Sequence, residues 1–193
     1  MPAEIKKGNA GLVLGFVPLI VYGVLAGIPG TGIVIALAAA TVASVIFGYR
    51  DLRNRMLLSW ANLLLFGCLL IAIGLFGMNW IIPFNSVLVY GALAAVSFGS
   101  ILAGRPFTLQ YARQVVDRPL WENPFFIRAN IVITGAWTAV FFAGFVFNVL
   151  ALAGPWPGFF VAQLLSYGFL AAGIVFTIWY PRHLRAKQVP ARQ

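Results

Sequence analysis

The sequence predicts an all-α, polytopic membrane protein with six transmembrane helices in three hairpins and one amphipathic interfacial helix on the cytoplasmic side. Three observations predict it. The 193-residue chain is 62% hydrophobic and 9% charged, with a mean hydropathy of +0.94; a soluble domain carries about 25% charged residues. All of its charges fall into four clusters: Glu4, Lys6 and Lys7; Arg50, Asp51, Arg53 and Arg55; Arg105, Arg113, Asp117, Arg118, Glu122 and Arg128; and Arg182, Arg185, Lys187 and Arg192. The stretches between them, 8–49, 56–104 and 129–181, carry no charge at all. A bilayer core of ~30 Å takes ~20 helical residues. A single helix over the shortest stretch would run ~63 Å at ~1.5 Å per residue. Each stretch is therefore expected to cross and return, which puts all four clusters on one side. Since every Lys and Arg lies there, the positive-inside rule makes that side the cytoplasm, with both termini in it.

The elements follow in order. Helix 1 spans about 10–28 and carries Pro18, expected to kink it or mark its first turns. Pro29-Gly30-Thr31-Gly32 is turn chemistry, and helix 2 follows at about 33–49. Lys6 and Lys7 ahead of an apolar run resemble a signal peptide, but cleavage would strand helix 2 without its partner, so helix 1 is expected to stay. Helix 3 spans about 56–76. Gly77-Met78-Asn79-Trp80 begins the second outer turn, Pro83 ends it, and Trp80 suits the interfacial aromatic belt. Helix 4 spans about 84–103. Helix 5 spans about 129–152, helix 6 about 159–180, and the turn between them is Gly154-Pro155-Trp156-Pro157-Gly158. All six helices are expected to form one domain over 1–193, closed by a basic tail. A division into helices 1–3 and 4–6 would permit an inverted repeat, although no sequence repeat is visible.

The longest stretch outside the membrane is 105–128. Phe107, Tyr111 and Val115 recur at four-residue intervals, while Gln110, Arg113, Gln114 and Asp117 face the other way. An amphipathic helix over about 106–118, lying on the inner leaflet, is the expectation. Arg105, Arg113, Arg118, Trp121 and Arg128 form a candidate docking or lipid-headgroup surface; the alternative is a plain tether between helices 4 and 5. The net charge of +9 then reads as attraction to anionic inner-leaflet lipids, with no nucleic-acid role, because the basic residues flank apolar spans.

The charge-free spans hold no Asp, Glu, Lys, Arg or His, the usual marks of proton relays and ion pathways. Their polar residues are milder. Asn130, Thr134 and Thr138 recur one turn apart on helix 5, with Asn62 and Gln163 on neighbouring helices. This strip either bonds helices together or lines a cavity. GxxxG and related small-residue pairs such as Gly11/Gly15 and Gly23/Gly27 permit close helix approach, within one chain or in a homo-oligomer. The single cysteine, Cys68, permits no internal disulfide, and the single histidine, His183, sits among arginines. No catalytic residue, metal site or cofactor is expected.

Several of these residues also carry a likeness. Phe16-Val17-Pro18-Leu19 in helix 1, Gly104-Arg105-Pro106 after helix 4, Trp121 followed by Arg128, Asn130, Trp137 and Phe141-Phe142, then Asn148, and finally Arg182-His183 stand in one order. In that order the chain resembles the intracellular septation protein A family of bacterial inner-membrane proteins; Thr108-Leu109-Gln110-Tyr111-Ala112-Arg113 departs from its pattern. The resemblance implies a multi-pass inner-membrane protein that supports cell-envelope maintenance and septation through envelope or division proteins. It implies no catalytic residues. Two alternatives remain: a small transporter or channel for an uncharged or lipid-like molecule, using the polar strip, and an inner-leaflet lipid-modifying enzyme, binding phosphate through Arg105, Arg113 and Arg128.

Overall fold

The turn chemistry and the apolar runs between charges become helices packed side by side. A computed structural model describes residues 11–154 and 159–188, and among them there is no strand. The helices are α1 (Val17–Gly27), α2 (Ile33–Arg53), α3 (Leu57–Leu70), α4 (Asn85–Leu102), α5 (Phe107–Arg113), α6 (Pro124–Ala153) and α7 (Phe159–Gln188). Residues 11–15 are also helical and lead into α1 through a turn at Phe16. Five segments are long and apolar enough to cross a bilayer: Ile33–Arg53, Leu57–Leu75, Asn79–Leu102, Pro124–Ala153 and Gln163–Leu184. The apolar α1 is shorter. The chain is a multi-pass helical membrane protein.

Local chemistry explains the boundaries. Pro18 occupies the first turn of α1, where its missing N–H costs nothing. Gly30 and Gly32 supply positive φ (87° and 72°) for the turn into α2. α3 widens into a π-helical stretch at Ile71–Leu75, and the Phe76 amide reaches back to the Ile71 carbonyl at 3.0 Å. A 3-10 turn at Asn79–Phe84 holds Pro83 and feeds α4. α6 begins five residues before the expected 129, because Asn123 caps it, accepting from the Phe125 N–H, and Pro124 fits its first turn. Arg128 therefore stands on a helix, not in a loop. α7 runs through Pro181 to Gln188 instead of ending at 180. Trp179 stacks on His183 across the proline, and Phe176 stacks on Tyr180 just before it. The expected turn at 155–158, the charges Glu4, Lys6 and Lys7, and Arg192 lie outside the described residues.

The helices form two groups of three. α1 packs on α2 and α2 on α3; α4 packs on α6 and α6 on α7. The groups meet through large side chains. Phe16 stacks on Trp137 with ring centroids 4.0 Å apart, and Phe141 lies 5.5 Å from Trp137. Trp137 donates to Thr177 Oγ1 at 2.9 Å. At the far end, Tyr22 donates to Asn85 and Tyr167 to the Gly23 carbonyl. In lipid, apolar burial gives helices little drive to associate, so packing and hydrogen bonds hold the bundle. Close approach at Gly144 is part of this. A Cβ there would stand 2.5 Å from Tyr90 Cδ1, on a ring that is itself buried. Gly144→Val is expected to cost about 1–3 kcal/mol through overpacking, read as a lowered midpoint of detergent-induced unfolding; an unchanged midpoint would mean that α4 and α6 separate freely.

Candidate functional site

Polar side chains gather in three places. The first is a seam between α4, α5 and α6. Thr134 is fully buried, and its Oγ1 lies 2.8 Å from Thr108 Oγ1. Thr108 also donates to the Asn130 carbonyl at 3.0 Å. Asn130 Nδ2 donates back to the Phe126 carbonyl at 2.9 Å. Thr138 Oγ1 lies 3.1 Å from Ser97 Oγ and 3.0 Å from the Thr134 carbonyl. Ser100 Oγ accepts from the Phe107 N–H at 3.1 Å, which ties α5 to the end of α4. The Asn130, Thr134 and Thr138 strip thus bonds helices together. Asn62 and Gln163 lie elsewhere, so the five residues do not share one cavity. Thr134→Val is expected to cost about 0.6 kcal/mol and no more than ~1.7 kcal/mol, the range for interhelical hydrogen bonds in membranes; denaturant titration of the purified protein checks it.

The second cluster plugs the charged end. α5 is shorter than the expected 106–118, and its apolar side packs into the protein. Phe107, Thr108, Leu109 and Tyr111 are all buried. The amphipathic reading fails because the polar side also finds partners inside the protein. Gln110 Oε1 accepts from the Leu57 N–H at 2.8 Å and so caps the start of α3. Gln114 Nε2 lies 3.4 Å from Met56 Sδ. Tyr111 drops inward against Gly15, and its hydroxyl lies 3.3 Å from Ser59 Oγ, which faces the Asp51 carboxylate at 3.5 Å. Burial holds the Tyr111 phenol well above its ordinary range, Ser59 opposes that shift, and Asp51 adds to it. The phenol therefore keeps its proton at any physiological pH. Deeper in, Asn62 Nδ2 donates to the Gly15 carbonyl at 2.8 Å, and Asn62 Oδ1 has no partner among the described residues. Leu14, Pro18, Ser44 and Gly48 line a narrow crevice beside it.

The sequence ends helix 2 at about 49 and leaves Asp51 outside it; α2 runs on to Arg53 and carries Asp51 into this cluster. A signal existed in Ser59 and Asn62, which stand one turn apart and face the Ser44/Gly48 side of α2. Nothing in the sequence tied Tyr111 to them.

The third cluster lies at the far end between the two groups of helices. Tyr22 meets Asn85, Ser86 Oγ donates to Asn85 Oδ1 at 3.3 Å, and Gln163 Nε2 donates to Tyr167 Oη at 2.6 Å. Asn148 Nδ2 lies 2.8 Å from the Gly144 carbonyl and 3.3 Å from Ser166 Oγ. The carbonyl oxygens of Asn148 and Gln163 are buried without a partner among the described residues.

The five-residue surface proposed for docking or lipid headgroups divides in two. Arg113 and Arg118 lie over the Trp121 ring, 5.4 and 6.0 Å from its centroid, and Trp121 Nε1 donates to the Val116 carbonyl at 2.8 Å. Arg105 and Arg128 are exposed and apart from that group. The arginine trio that the enzyme alternative needs is therefore split, with Arg113 turned onto Trp121. Among the described residues no three His, Cys, Asp or Glu side chains converge on a metal-sized site.

Fold and polar clusters together define a multi-pass helical membrane protein whose interior is filled by aromatic rings and interhelical hydrogen bonds. Comparison of the chain with protein-family models, characterised proteins and solved structures gives no match.

Proposed function

We propose that the protein is a non-enzymatic bacterial inner-membrane protein that supports cell-envelope maintenance and septation by contacting membrane and protein partners. The observation that carries this reading is the use of interior polar groups. The Asn130/Thr134/Thr138 strip bonds α6 to α4 and α5, which leaves the protein's outer faces as its means of acting. The family resemblance of the sequence supports the envelope role. In this reading residues 11–27, the short helix before Phe16 together with α1, make the sixth span. The basic clusters, both termini and α5 then lie in the cytoplasm. Photo-crosslinking from exposed positions on α4 and α6 in living cells tests the role. Recovery of division or envelope-building proteins is expected; capture of lipid and abundant membrane proteins alone would sink it.

A second reading rests on the far-end cluster. Among the described residues Asn148 Oδ1 and Gln163 Oε1 are buried acceptors without partners, on the facing helices α6 and α7. An uncharged solute bearing O–H or N–H groups would suit them. Flux of small polyols into proteoliposomes that Asn148→Ala abolishes would favour the carrier; equal flux with and without the protein would dismiss it.

A further inference from the structure

We propose that the groove between α4 and α6 holds one acyl chain of an anionic phospholipid whose phosphate is bound by Arg105 and Arg128. The groove is about 430 Å³ and opens on the outer face of the bundle. Its floor is Gly91, Ala94 and Ala95; its walls are Phe98, Phe142 and Phe145. Phe98 and Phe142 are 53% and 57% exposed, so the walls stand out into lipid. Phe142 and Phe145 pack against one another, centroids 6.2 Å apart, and make that wall stiff. The one polar lining residue, Thr138, already bonds Ser97 and the Thr134 carbonyl. Nothing in the groove asks for a polar occupant.

The antiparallel register fixes where the charges lie. Gly91 stands against Phe145, Ser97 against Thr138, and Thr108 against Asn130 and Thr134. Arg105 and Arg128 therefore come level with one another at the same end of the groove. On α4, Phe98 and Leu102 continue the groove's stripe toward Arg105; on α6, Arg128 and Phe142 fall on nearly the same side of the helix. Arg113 and Arg118 lie over Trp121. Among the described residues Arg105 and Arg128 make no ion pair or ring contact. Two unpaired guanidinium groups match a phosphate diester, which accepts forked hydrogen bonds. A zwitterionic headgroup would set a second positive charge beside them.

Length decides between a lipid and a helix as occupant. From Phe98 to Gly91 the groove runs about 10 Å at ~1.5 Å per residue. That is about a third of a ~30 Å hydrocarbon core, within the reach of one leaflet. A helix from a second copy would need a seam across the whole core.

Native mass spectrometry of the full chain, with dioleoyl phosphatidylglycerol or dioleoyl phosphatidylcholine titrated into the micelles, tests the proposal. One phosphatidylglycerol is expected to survive activation, in preference to phosphatidylcholine. The double variant Arg105→Gln/Arg128→Gln should bind it roughly tenfold or more weakly. Ala95→Leu, an exposed position that fills the groove, should lose it too, while Arg53→Gln/Arg182→Gln, with the same charge change elsewhere, should keep it. Retention by both groove variants, or equal loss in the charge-matched control, overturns the site. A wild-type dimer that Ala95→Leu separates would give the groove to a second copy and overturn it as well. Should Ala95→Leu fail to fold, the two arginine pairs decide alone.

Discussion

Replacing Trp137 with alanine is expected to destabilise the bundle by about 3 kcal/mol, the lower part of the 3–5 kcal/mol range for buried Trp or Phe truncations. Trp137 is 1% exposed, stacks on Phe16 and sits against Gly173, where an added Cβ would lie 3.1 Å from its ring. It joins three elements: the turn before α1, α6 and α7. In lipid the unfolded reference is itself apolar, so the transfer part of the loss shrinks. The void remains, because the facing backbones cannot collapse into it and its lining loses its dispersion contacts. The hydrogen bond contributes less. Thr177 Oγ1 also donates to the Gly173 carbonyl at 2.8 Å, so it keeps a partner when the indole is gone. Trp137→Phe, which keeps a ring against Phe16, should cost about 1 kcal/mol. Detergent-induced unfolding in mixed micelles reads both. If Trp137→Ala shifts stability by less than about 0.5 kcal/mol, as an exposed substitution would, the Phe16–Trp137 stack is not what joins the two groups.

What the sequence made legible depended on the kind of signal. Charge clustering and the turn at Pro29–Gly32 located α2, α3 and α4 to within a few residues, because lipid admits charges and unpaired backbone only at its edges. The start of α6 was missed. Asn123 and Pro124 are a good helix start, but the charge pattern marks Arg128 as the edge of the membrane, and a helix need not begin where the bilayer does. The end of α7 differs for the converse reason: the apolar span stops at about 180, while the helix runs on through Pro181 into the charged cluster. The polar strip was visible as a spacing. Its use was not, because Thr108 reaches Thr134 across 26 residues of chain and a loop that reads as surface. The same holds for Tyr111. A stripe of Phe107 and Tyr111 looks alike whether it lies on lipid or enters a bundle, and Gly11 and Gly15, on another helix, make the room that Tyr111 fills.

Tyr111→Ala is expected to open the charged end of the bundle, at a cost of about 3–5 kcal/mol. Tyr111 is 2% exposed, and its helix lies outside the spans, so the full penalty of rehydrating the site applies. The loss would also leave Ser59 and the mostly buried Asp51 facing an apolar hole in place of a phenol that keeps its proton. Of the contacts that hold α5, the hydrogen bonds of Gln110, Gln114, Thr108 and the Phe107 N–H and the packing of Phe107 and Leu109 would remain. α5 has seven residues, too few to persist as a helix without tertiary contacts, so this segment should unfold before the membrane helices do. Trypsin reads that directly, through faster cleavage after Arg113. Tyr111→Phe keeps the ring against Gly15 and loses only the hydroxyl contact. It should cost about 0.5–1.5 kcal/mol and leave cleavage near the wild-type rate. Equal cleavage of wild type and Tyr111→Ala would show that the remaining contacts of α5 hold it without the Tyr111 ring. Fast cleavage of Tyr111→Phe as well would place the restraint in the Ser59–Asp51 contact, not in the ring.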